Sequence, residues 1–352
     1  MKKKVLIIYN KVWSYRRCIF DSLAERYDLT IAVNSEEFLN EKYPFKVIFL
    51  PTKKIGPFQW HLDNLGVIMA QYDCIIGLYD IRWLRLMLQS LTVKRPVILW
   101  GIGVTASYEN HFDSKQTWDK VRVFFAKRSA GVLLYSDYPV ERHIKLGVPR
   151  EKIWVAHNTT DVDFVNLASS GKRRSILFVG SLYKEKRILD LVKSYIKASS
   201  LTSNLPEFDI VGDGEDFVEL SSLVKFNSLE NKIRLHGSVY DNDKLSTLFS
   251  QALVCISPNQ AGLSVLKSMG FGVPFATNTN AITGGEIFNI KHMVNGVFID
   301  QLVENMEDFF LWTALNQDIL RELGANARKY YLSDRIPSKT VDVIVDAIES
   351  SL

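Results

Sequence analysis

A chain of 352 residues is longer than one ordinary hydrophobic core needs, so its length predicts two domains. Hydrophobic residues make up 47% and charged residues 23%, which excludes a largely disordered chain. The net charge is +4, but the first 163 residues carry 24 Lys and Arg against 17 Asp and Glu, whereas the rest carry 19 against 22. A basic first half suits anionic lipid, a phosphate-bearing substrate or nucleic acid, and equally an uneven, inert surface.

The first half alternates predicted strands and helices. VLIIY (5–9) is a continuous apolar run typical of a buried parallel strand, and a helix follows over 14–27. The strand pattern recurs in LTIAVN, KVIFLP, DCIIGLY, PVILWGIG, AGVLLYS and IWVAHN, with helices around 84–91, 115–128 and 140–146. Strands that alternate with helices indicate a parallel, doubly wound sheet.

The second half repeats this architecture after a predicted linker. Residues 163–174 lose periodicity, and the pattern restarts at SILFVG (175–180) and ends in three helical segments from about 305 to 352. We expect an N-terminal domain over 1–165, a second domain over 172–335, and a helix over 336–352 that packs back towards the first. The predicted fold is α/β, with two Rossmann-like doubly wound domains that face each other across a cleft.

Neither a membrane span nor a disulfide framework is predicted. No apolar run reaches about 18 residues, and the run in MKKKVLIIYN is too short for a signal peptide. Cys18, Cys74 and Cys255 lie in apolar segments without metal-ligand spacing, as buried thiols in a reducing compartment do. We expect a cytoplasmic protein, at most peripheral on the inner face of the cell membrane.

The stretch SPNQAGLSVLKSMGFGVP (257–274) indicates a strand end, a small-residue loop and a short helix that starts near Leu263. Backbone N–H groups at a helix start suit an anion. Lys267, in the first turn or so, opposes the helix dipole unless a negative ligand is present. We expect that ligand to be a nucleotide diphosphate.

Three further segments end predicted strands at the same edge. FVGSLYKEKRILDLV places Lys186 after a strand that ends at Gly180, which suits neutralisation of a phosphate, although a solvated lysine is the more ordinary interpretation of a KEKR run. IVGDGE (210–215) and HGSV (236–239) supply glycine turns, which let a ligand approach closely.

Taken together, GSLYKEK, IVGDGE, LHGSV, SPNQAGLSVLKSMGFGVPFATN and GGEIF resemble, in order and spacing, retaining glycosyltransferases of GT-B architecture. The chain most resembles glycosyltransferase family four, the sugar transferases of bacterial polysaccharide assembly. VWSYRRCIFDSLAERYDLTI, RPVILWGIG and YSDYPVERHIKLGVPREKIWVAHNTTD look like the acceptor-side domain of that family. The resemblance therefore covers nearly the whole chain.

The resemblance implies a nucleotide-sugar site in the second domain, with the nucleotide sugar as substrate, UDP-linked by family frequency, and no cofactor. Lys186 matches the lysine that contacts the donor diphosphate, and Glu286 matches a glutamate in a loop near the donor. The implied nucleotide-binding residues are Gly180, Ser181, Gly212, His236, Gly237, Ser238, Gly262, Leu263 and Ser264. The expected acceptor-side residues are Trp100, Gly101 and Asn158 with Arg16 and Arg17, of which the two arginines are equally compatible with solvation.

The family pattern is incomplete at several positions. Two glutamates eight residues apart usually surround the donor loop, and here they are Asn259 and Lys267. Asn259 can still hydrogen-bond a sugar hydroxyl, whereas Lys267 can only donate, to a phosphate for example. Ser181 occupies the position of the usual arginine, and Ile102 occupies the position of a histidine that relatives often carry. The predicted catalytic set is Lys186, Asn259, Lys267 and Glu286.

The D-x-D sequences do not favour a metal site. Asp161-Val162-Asp163 falls at the predicted linker, and Asp241-Asn242-Asp243 falls at a helix start, where Asp is a normal cap. We expect no metal.

The predicted helix over 115–128 has two interpretations. Apolar residues, three of them aromatic, alternate with basic residues in it, namely Trp118, Val121, Phe124 and Phe125 with Lys115, Lys120, Arg122, Lys127 and Arg128. Such a helix can rest on anionic lipid headgroups, or it can pack its aromatic side chains in the core, which we favour.

We predict a retaining, metal-independent, hexosyltransferase-type enzyme. It moves a sugar from a nucleotide diphosphate to a saccharide or lipid-linked acceptor in bacterial surface polysaccharide assembly, capsule or O-antigen, with no nucleic-acid partner. Two alternatives stay open: a GT-B nucleotide-binding protein with weakened catalysis, and, less favoured because carboxylates are few, a nucleotide-sugar epimerase.

Overall fold

The computed structural model describes residues 1–107, 111–113, 116–162 and 173–352. Within these residues the chain divides into two compact units, one formed by Met1–Asp161 with Ile336–Leu352 and the other by Val162–Arg335. Most of the expected linker, together with Asp163 and Lys115, lies outside the described residues.

The first unit contains eleven described strands and five helices before the chain leaves it. The strands are β1 (Lys4–Ile8), β2 (Asp28–Val33), β3 (Lys46–Phe49), β4 (Thr52–Ile55), β5 (Phe58–His61), β6 (Cys74–Leu78), β7 (Val97–Gly101), β8 (Ala106–Ser107), β9 (His111–Phe112), β10 (Gly131–Leu134) and β11 (Ile153–Val155). The helices are α1 (Arg17–Arg26), α2 (Leu65–Met69), α3 (Leu84–Gln89), α4 (Asp119–Arg128) and α5 (Val140–Lys145).

Seven of these strands form one parallel sheet in the order β11-β10-β7-β6-β1-β2-β3. In β1, Val5 and Ile7 pack in a core that includes side chains of α1, whereas Leu6 and Ile8 pack in a core that includes side chains of α2, α3 and α4. Both faces of the strand are therefore buried, which explains its continuous apolar run.

The second unit repeats this plan. Its strands are β12 (Ser175–Val179), β13 (Glu207–Val211), β14 (Ile233–Leu235), β15 (Ala252–Ile256), β16 (Gln260–Ala261), β17 (Phe275–Thr277), β18 (Ile282–Thr283) and β19 (Gly296–Phe298). Its helices are α6 (Ile188–Leu201), α7 (Phe217–Phe226), α8 (Asn242–Gln251), α9 (Ser264–Gly270), α10 (Met306–Leu315) and α11 (Gln317–Asp334). Six strands form a parallel sheet in the order β14-β13-β12-β15-β17-β19, and β16 pairs with β18.

The last helix, α12 (Pro337–Ser351), belongs to the first unit. Val341, Ile344 and Ile348 join the same core as α1, and Tyr27 donates a hydrogen bond to Glu349 at 2.6 Å. The prediction of two doubly wound α/β domains is confirmed by the two parallel sheets.

Several short elements differ from the prediction. The antiparallel hairpin of β4 and β5, the pair β8–β9 and the helix α2 were not expected. The helix expected from residue 14 begins as a 3-10 turn (Ser14–Arg16), and the one expected from 115 has a 3-10 turn at Gln116–Trp118 before α4. No helix of the described ranges is long and apolar enough to cross a membrane.

Candidate functional site

The carboxyl ends of the second sheet bring together loops that are distant in the chain. Connections run in opposite directions from β12 and from β15, and doubly wound sheets bind ligands at such a switch point. The two loops meet there, because the Tyr183 hydroxyl donates to Gln260 Oε1 at 3.1 Å and Asn259 Nδ2 lies 3.5 Å from the Glu185 carbonyl oxygen. Lys186 and Asn259 line one cavity of about 420 Å³ at this edge.

Lys186 is a half-buried cation that has no carboxylate partner within the described part of the chain. Its Nζ lies close to Gly180, 2.2 Å from where a Cβ on that residue would stand. Burial lowers the pKa of the ammonium to about 8. The interpretation of Lys186 as a solvated lysine is therefore wrong, and a desolvated ammonium without a counter-ion is stabilised by an anionic ligand.

A second cavity, of about 600 Å³, lies at the ends of β12, β13 and β14. Gly180, Ser181, Gly212 and Ser238 all line it, so four predicted nucleotide-binding residues share one space. Gly212 has no room for a side chain, since its Cβ would lie 1.9 Å from the Gly180 carbonyl oxygen. Glycine at this position lets the ends of two strands approach each other.

The loop before α9 presents backbone amides. Among the described residues, the N–H groups of Gly262, Leu263 and Ser264 donate no hydrogen bond, as expected at the start of a helix. A Cβ on Gly262 would meet nothing within 4 Å, so the backbone is open to a ligand. This is the geometry that the sequence predicts for an anion.

Lys267 is the fourth residue of α9 and is half-buried. Burial lowers the pKa of its ammonium, and no carboxylate of the described segments pairs with it. It resembles Lys186 in being a partly desolvated cation, but it lines neither of the two cavities described above. Its role towards a donor stays a prediction.

Glu286 is buried within its own loop. Its Oε2 accepts hydrogen bonds from the Gly284 N–H at 2.9 Å and from the Thr283 hydroxyl at 3.3 Å. The same loop pairs with the donor loop, because Ile282 N–H donates to the Asn259 carbonyl oxygen at 2.8 Å. Glu286 therefore fixes the backbone that supports Asn259, and a direct role at the donor stays a prediction.

His236 belongs to a charged network at the edge of β13 and β14. Its Nε2 lies 2.8 Å from Oδ1 of the buried Asp209, to which Arg234 Nε also donates at 2.9 Å. Burial raises the pKa of Asp209, but the hydrogen bonds from His236 and Arg234 outweigh it, so the pKa is lowered overall. The carboxylate of Asp209 thus holds the imidazole of His236 in place. The next residue, Gly237, accepts a hydrogen bond at its carbonyl oxygen from the Gly212 N–H at 2.8 Å.

Arg16 is enclosed by aromatic rings at the carboxyl edge of the first sheet. Its side chain is 1% exposed, and its guanidinium carbon lies 4.2 Å from the Trp100 ring centroid and 4.8 Å from that of Tyr135. The rings of Tyr9 and Tyr15 lie at 5.3 and 5.4 Å. The solvated alternative for Arg16 is therefore wrong, and stacking on four rings replaces the ion pair that a buried guanidinium usually needs.

Asn158 joins this cage, whereas Arg17 does not. Arg16 Nη2 donates to Asn158 Oδ1 at 3.1 Å, and Gly101 accepts from the Tyr135 N–H at 3.1 Å. Arg17 is exposed and lies 3.9 Å from Asp21 on its own helix. Four of the five predicted acceptor-side residues thus share one edge of the first unit.

The sequence did not point to several residues of these sites. Tyr183 and Gln260 connect the loops that follow β12 and β15, and Tyr9 and Tyr135 share a hydroxyl–hydroxyl hydrogen bond at 2.9 Å beside Arg16. For Tyr9 and Tyr135 the available signal in the sequence was an aromatic residue directly after a strand, namely β1 and β10. Within the described segments no group of three or more His, Cys, Asp or Glu is arranged to hold a metal ion, and Asp241 caps α8 through the Lys244 N–H at 2.8 Å.

Part of the second unit is similar in sequence to a known family. Residues 160–330 match the family described as glycosyl transferases group 1, a segment that contains the second sheet and both cavities. A curated relative is the GtfA subunit of a UDP-N-acetylglucosamine–peptide N-acetylglucosaminyltransferase from Streptococcus agalactiae, 28% identical over 131 residues. That match covers 36% of the chain and spans about a quarter (24%) of the relative's length.

Solved structures share the fold over nearly the entire chain. HepE of Anabaena, in complex with UDP and glucose, has a TM-score of 0.69 at 16% identity, covering 99% of this chain and 100% of that one. The pneumococcal O-GlcNAc transferase GtfA, in complex with UDP and GlcNAc, has a TM-score of 0.70 at 13% identity, covering 99% of both. These matches establish the GT-B fold that the resemblance of the sequence implies.

Proposed function

We propose that this protein transfers a sugar from a nucleotide diphosphate, UDP in the first instance, to a saccharide or lipid-linked saccharide acceptor with retention. The observation that carries the proposal is Lys186, a desolvated cation without a carboxylate partner among the described residues, at the switch point of the segment that matches the group 1 family. UDP is supported by the two fold neighbours in complex with UDP and a sugar. Retention and membership of family four rest on the resemblance of the sequence.

The hard step is the departure of the nucleoside diphosphate, which builds negative charge on phosphate oxygens. In our proposal Lys186 and the amides of Gly262, Leu263 and Ser264 stabilise that charge. The bond between the anomeric carbon and the phosphate oxygen breaks, and the acceptor oxygen bonds to the anomeric carbon on the face that the leaving group vacates. The acceptor proton passes to the departing phosphate, so neither a strong base nor a metal ion is required.

The acceptor side belongs to the first unit in this proposal. The aromatic cage around Arg16 fixes Asn158 at the carboxyl edge of the sheet, where an acceptor hydroxyl can bond to the amide. An acceptor from bacterial capsule or O-antigen assembly, held by a lipid at the inner face of the membrane, agrees with the basic charge of the first 163 residues.

Donor affinity should depend on pH through Lys186. Its pKa of about 8 leaves the ammonium charged below that pH, and a bound diphosphate raises the pKa further. We therefore expect affinity for UDP to fall as pH rises above about 8, measured by titration calorimetry. Lys186→Arg keeps its charge throughout and should flatten the profile. If both proteins showed the same dependence of UDP affinity on pH, Lys186 would not contact the donor.

A second candidate is a nucleotide-binding protein with weakened catalysis. Asn259 and Lys267 favour it, because they replace the two carboxylates that relatives of this type carry around the donor loop. Such a protein binds the nucleotide but shows no turnover with any acceptor.

Thermal shift with nucleotides separates these possibilities. A ligand that binds only the folded state at 100 times its dissociation constant adds about 2.7 kcal/mol of stability. We expect UDP to raise the melting temperature more than GDP, ADP or CMP, and UDP-sugars then to be hydrolysed or transferred. A shift by UDP without turnover supports the second candidate, and no shift by any nucleotide contradicts both.

A further inference from the structure

Helix α4, together with the 3-10 turn that precedes it, carries apolar side chains on its outer face. Trp118, Val121 and Phe124 are 47%, 40% and 42% exposed, and their three-residue spacing places them on one side of the helix. Val123 and Phe125 point into the core instead. The expectation that the aromatic side chains of this segment pack in the core is thus wrong for Trp118 and Phe124.

The same face carries only positive charge. Lys120, Lys127 and Arg128 are exposed, and in the part of the chain that the structure describes they have no carboxylate partner. The one carboxylate of the helix, Asp119, is buried and bound by Arg122 at 2.6 Å and Arg142 at 3.1 Å. The outer face is therefore cationic and apolar, with no acidic side chain of its own.

A purely structural explanation accounts for part of this pattern. Lys127 and Arg128 lie in the last turn of α4, where cations complement the helix dipole, and Lys152 donates to the Ser129 carbonyl oxygen there at 3.0 Å. Lys120 in the first turn opposes the dipole, and the dipole gives no reason for Trp118 and Phe124 to be exposed. Arg128 also lies 3.9 Å over the Phe124 ring, which keeps cation and ring together at the surface.

We propose that this face of α4, defined by Trp118, Lys120, Val121, Phe124, Lys127 and Arg128, docks the first unit on an anionic membrane surface. Aromatic rings suit the headgroup level of a bilayer, and lysine and arginine arms reach lipid phosphates from the same face. Each cation near an anionic leaflet strengthens the attraction to it, and salt weakens that attraction. The inference rests on the proposed function only for the lipid-linked acceptor, since docking itself needs no donor.

Co-sedimentation with vesicles tests the docking with the full chain and without any sugar nucleotide. We expect the protein to bind vesicles of phosphatidylglycerol mixed with phosphatidylcholine, more weakly at high salt, and not to bind phosphatidylcholine alone. Lys127→Glu combined with Arg128→Glu, and separately Trp118→Ser combined with Phe124→Ser, should each weaken binding about tenfold or more. Phe226→Ser, which removes a ring 88% exposed on α7, is the matched control and should bind as the wild type does.

Three results would overturn the inference: no binding by the wild type, equal binding by the α4 variants, or an equal loss in Phe226→Ser. Loss of binding in Lys53→Glu combined with Lys54→Glu, but not in the α4 variants, would assign docking to the tip of the β4–β5 hairpin, where Ile55 is exposed. Melting temperature and UDP binding are measured on each variant. Intact UDP binding with lost vesicle binding separates this inference from the donor site, and absent UDP binding in the wild type contradicts only the proposed function.

Discussion

Replacing Lys186 with methionine should lower sugar transfer by about 10²–10³-fold, the usual cost of losing one charge contact to a leaving group. The same change should stabilise the protein. Burial holds the pKa of Lys186 at about 8, below its ordinary 10.5, so the unfolded chain binds this proton more tightly than the folded one does. Below about pH 8 the ammonium is charged in both the folded and the unfolded chain, so the full free-energy cost of burying that charge is present. Methionine has a similar length and removes this cost.

The two effects are measured as turnover of a UDP-sugar and as the free energy of unfolding in denaturant. At pH 7 the expected gain in stability is on the order of 1–3 kcal/mol. Lys184→Met is the matched control, because Lys184 lies on the same 3-10 turn but is exposed. Wild-type turnover in Lys186→Met, or an equal loss in Lys184→Met, would show that Lys186 does not act on the donor.

The parallel sheets were predictable because burial on both faces leaves a clear pattern in the sequence. Residues 5–8 of β1 read VLII and β15 reads ALVCI, and every one of these residues is buried. The carboxyl edge followed from the same reasoning, since a parallel sheet brings all its strand ends to one side. The positions of Gly180, Gly212 and Ser238 around one cavity follow from this rule alone.

The hairpin of β4 and β5 was missed because neither strand carries that pattern. Its strands have four residues each, and TKKI in β4 is largely exposed. It packs through His61, whose ring centroid lies 5.2 Å from that of Trp83, a contact that no local periodicity predicts. Short exposed strands depend on tertiary contacts, which local propensity does not contain.

The surroundings of the charged residues could not be predicted from the sequence either. Arg16 and Arg17 are neighbours of the same type, yet one is buried among rings and the other is exposed. The difference comes from Trp100 and Tyr135, which lie more than 80 residues away in the chain. In α4, likewise, the spacing gives a helix, but only the packing decides that Phe125 is buried and Phe124 exposed.

Replacing Gly262 with alanine should weaken UDP binding about tenfold or more while leaving the fold intact. A Cβ at this position meets nothing within 4 Å, and the backbone has no left-handed conformation that requires glycine. Alanine should therefore be neutral or stabilising by up to about 1 kcal/mol. If the diphosphate binds the amides of this loop, however, the added methyl group stands where the ligand approaches.

Gly212→Ala supplies the contrast, because its Cβ would lie 1.9 Å from the Gly180 carbonyl oxygen and the backbone must move. That variant should lose about 2 kcal/mol or more of stability, and UDP binding with it. Calorimetric titration with UDP and chemical denaturation distinguish the two cases. Gly262→Ala that binds UDP as the wild type does would place the diphosphate away from this loop. A loss of binding with unchanged stability, in contrast, is explained only by a ligand at the start of α9.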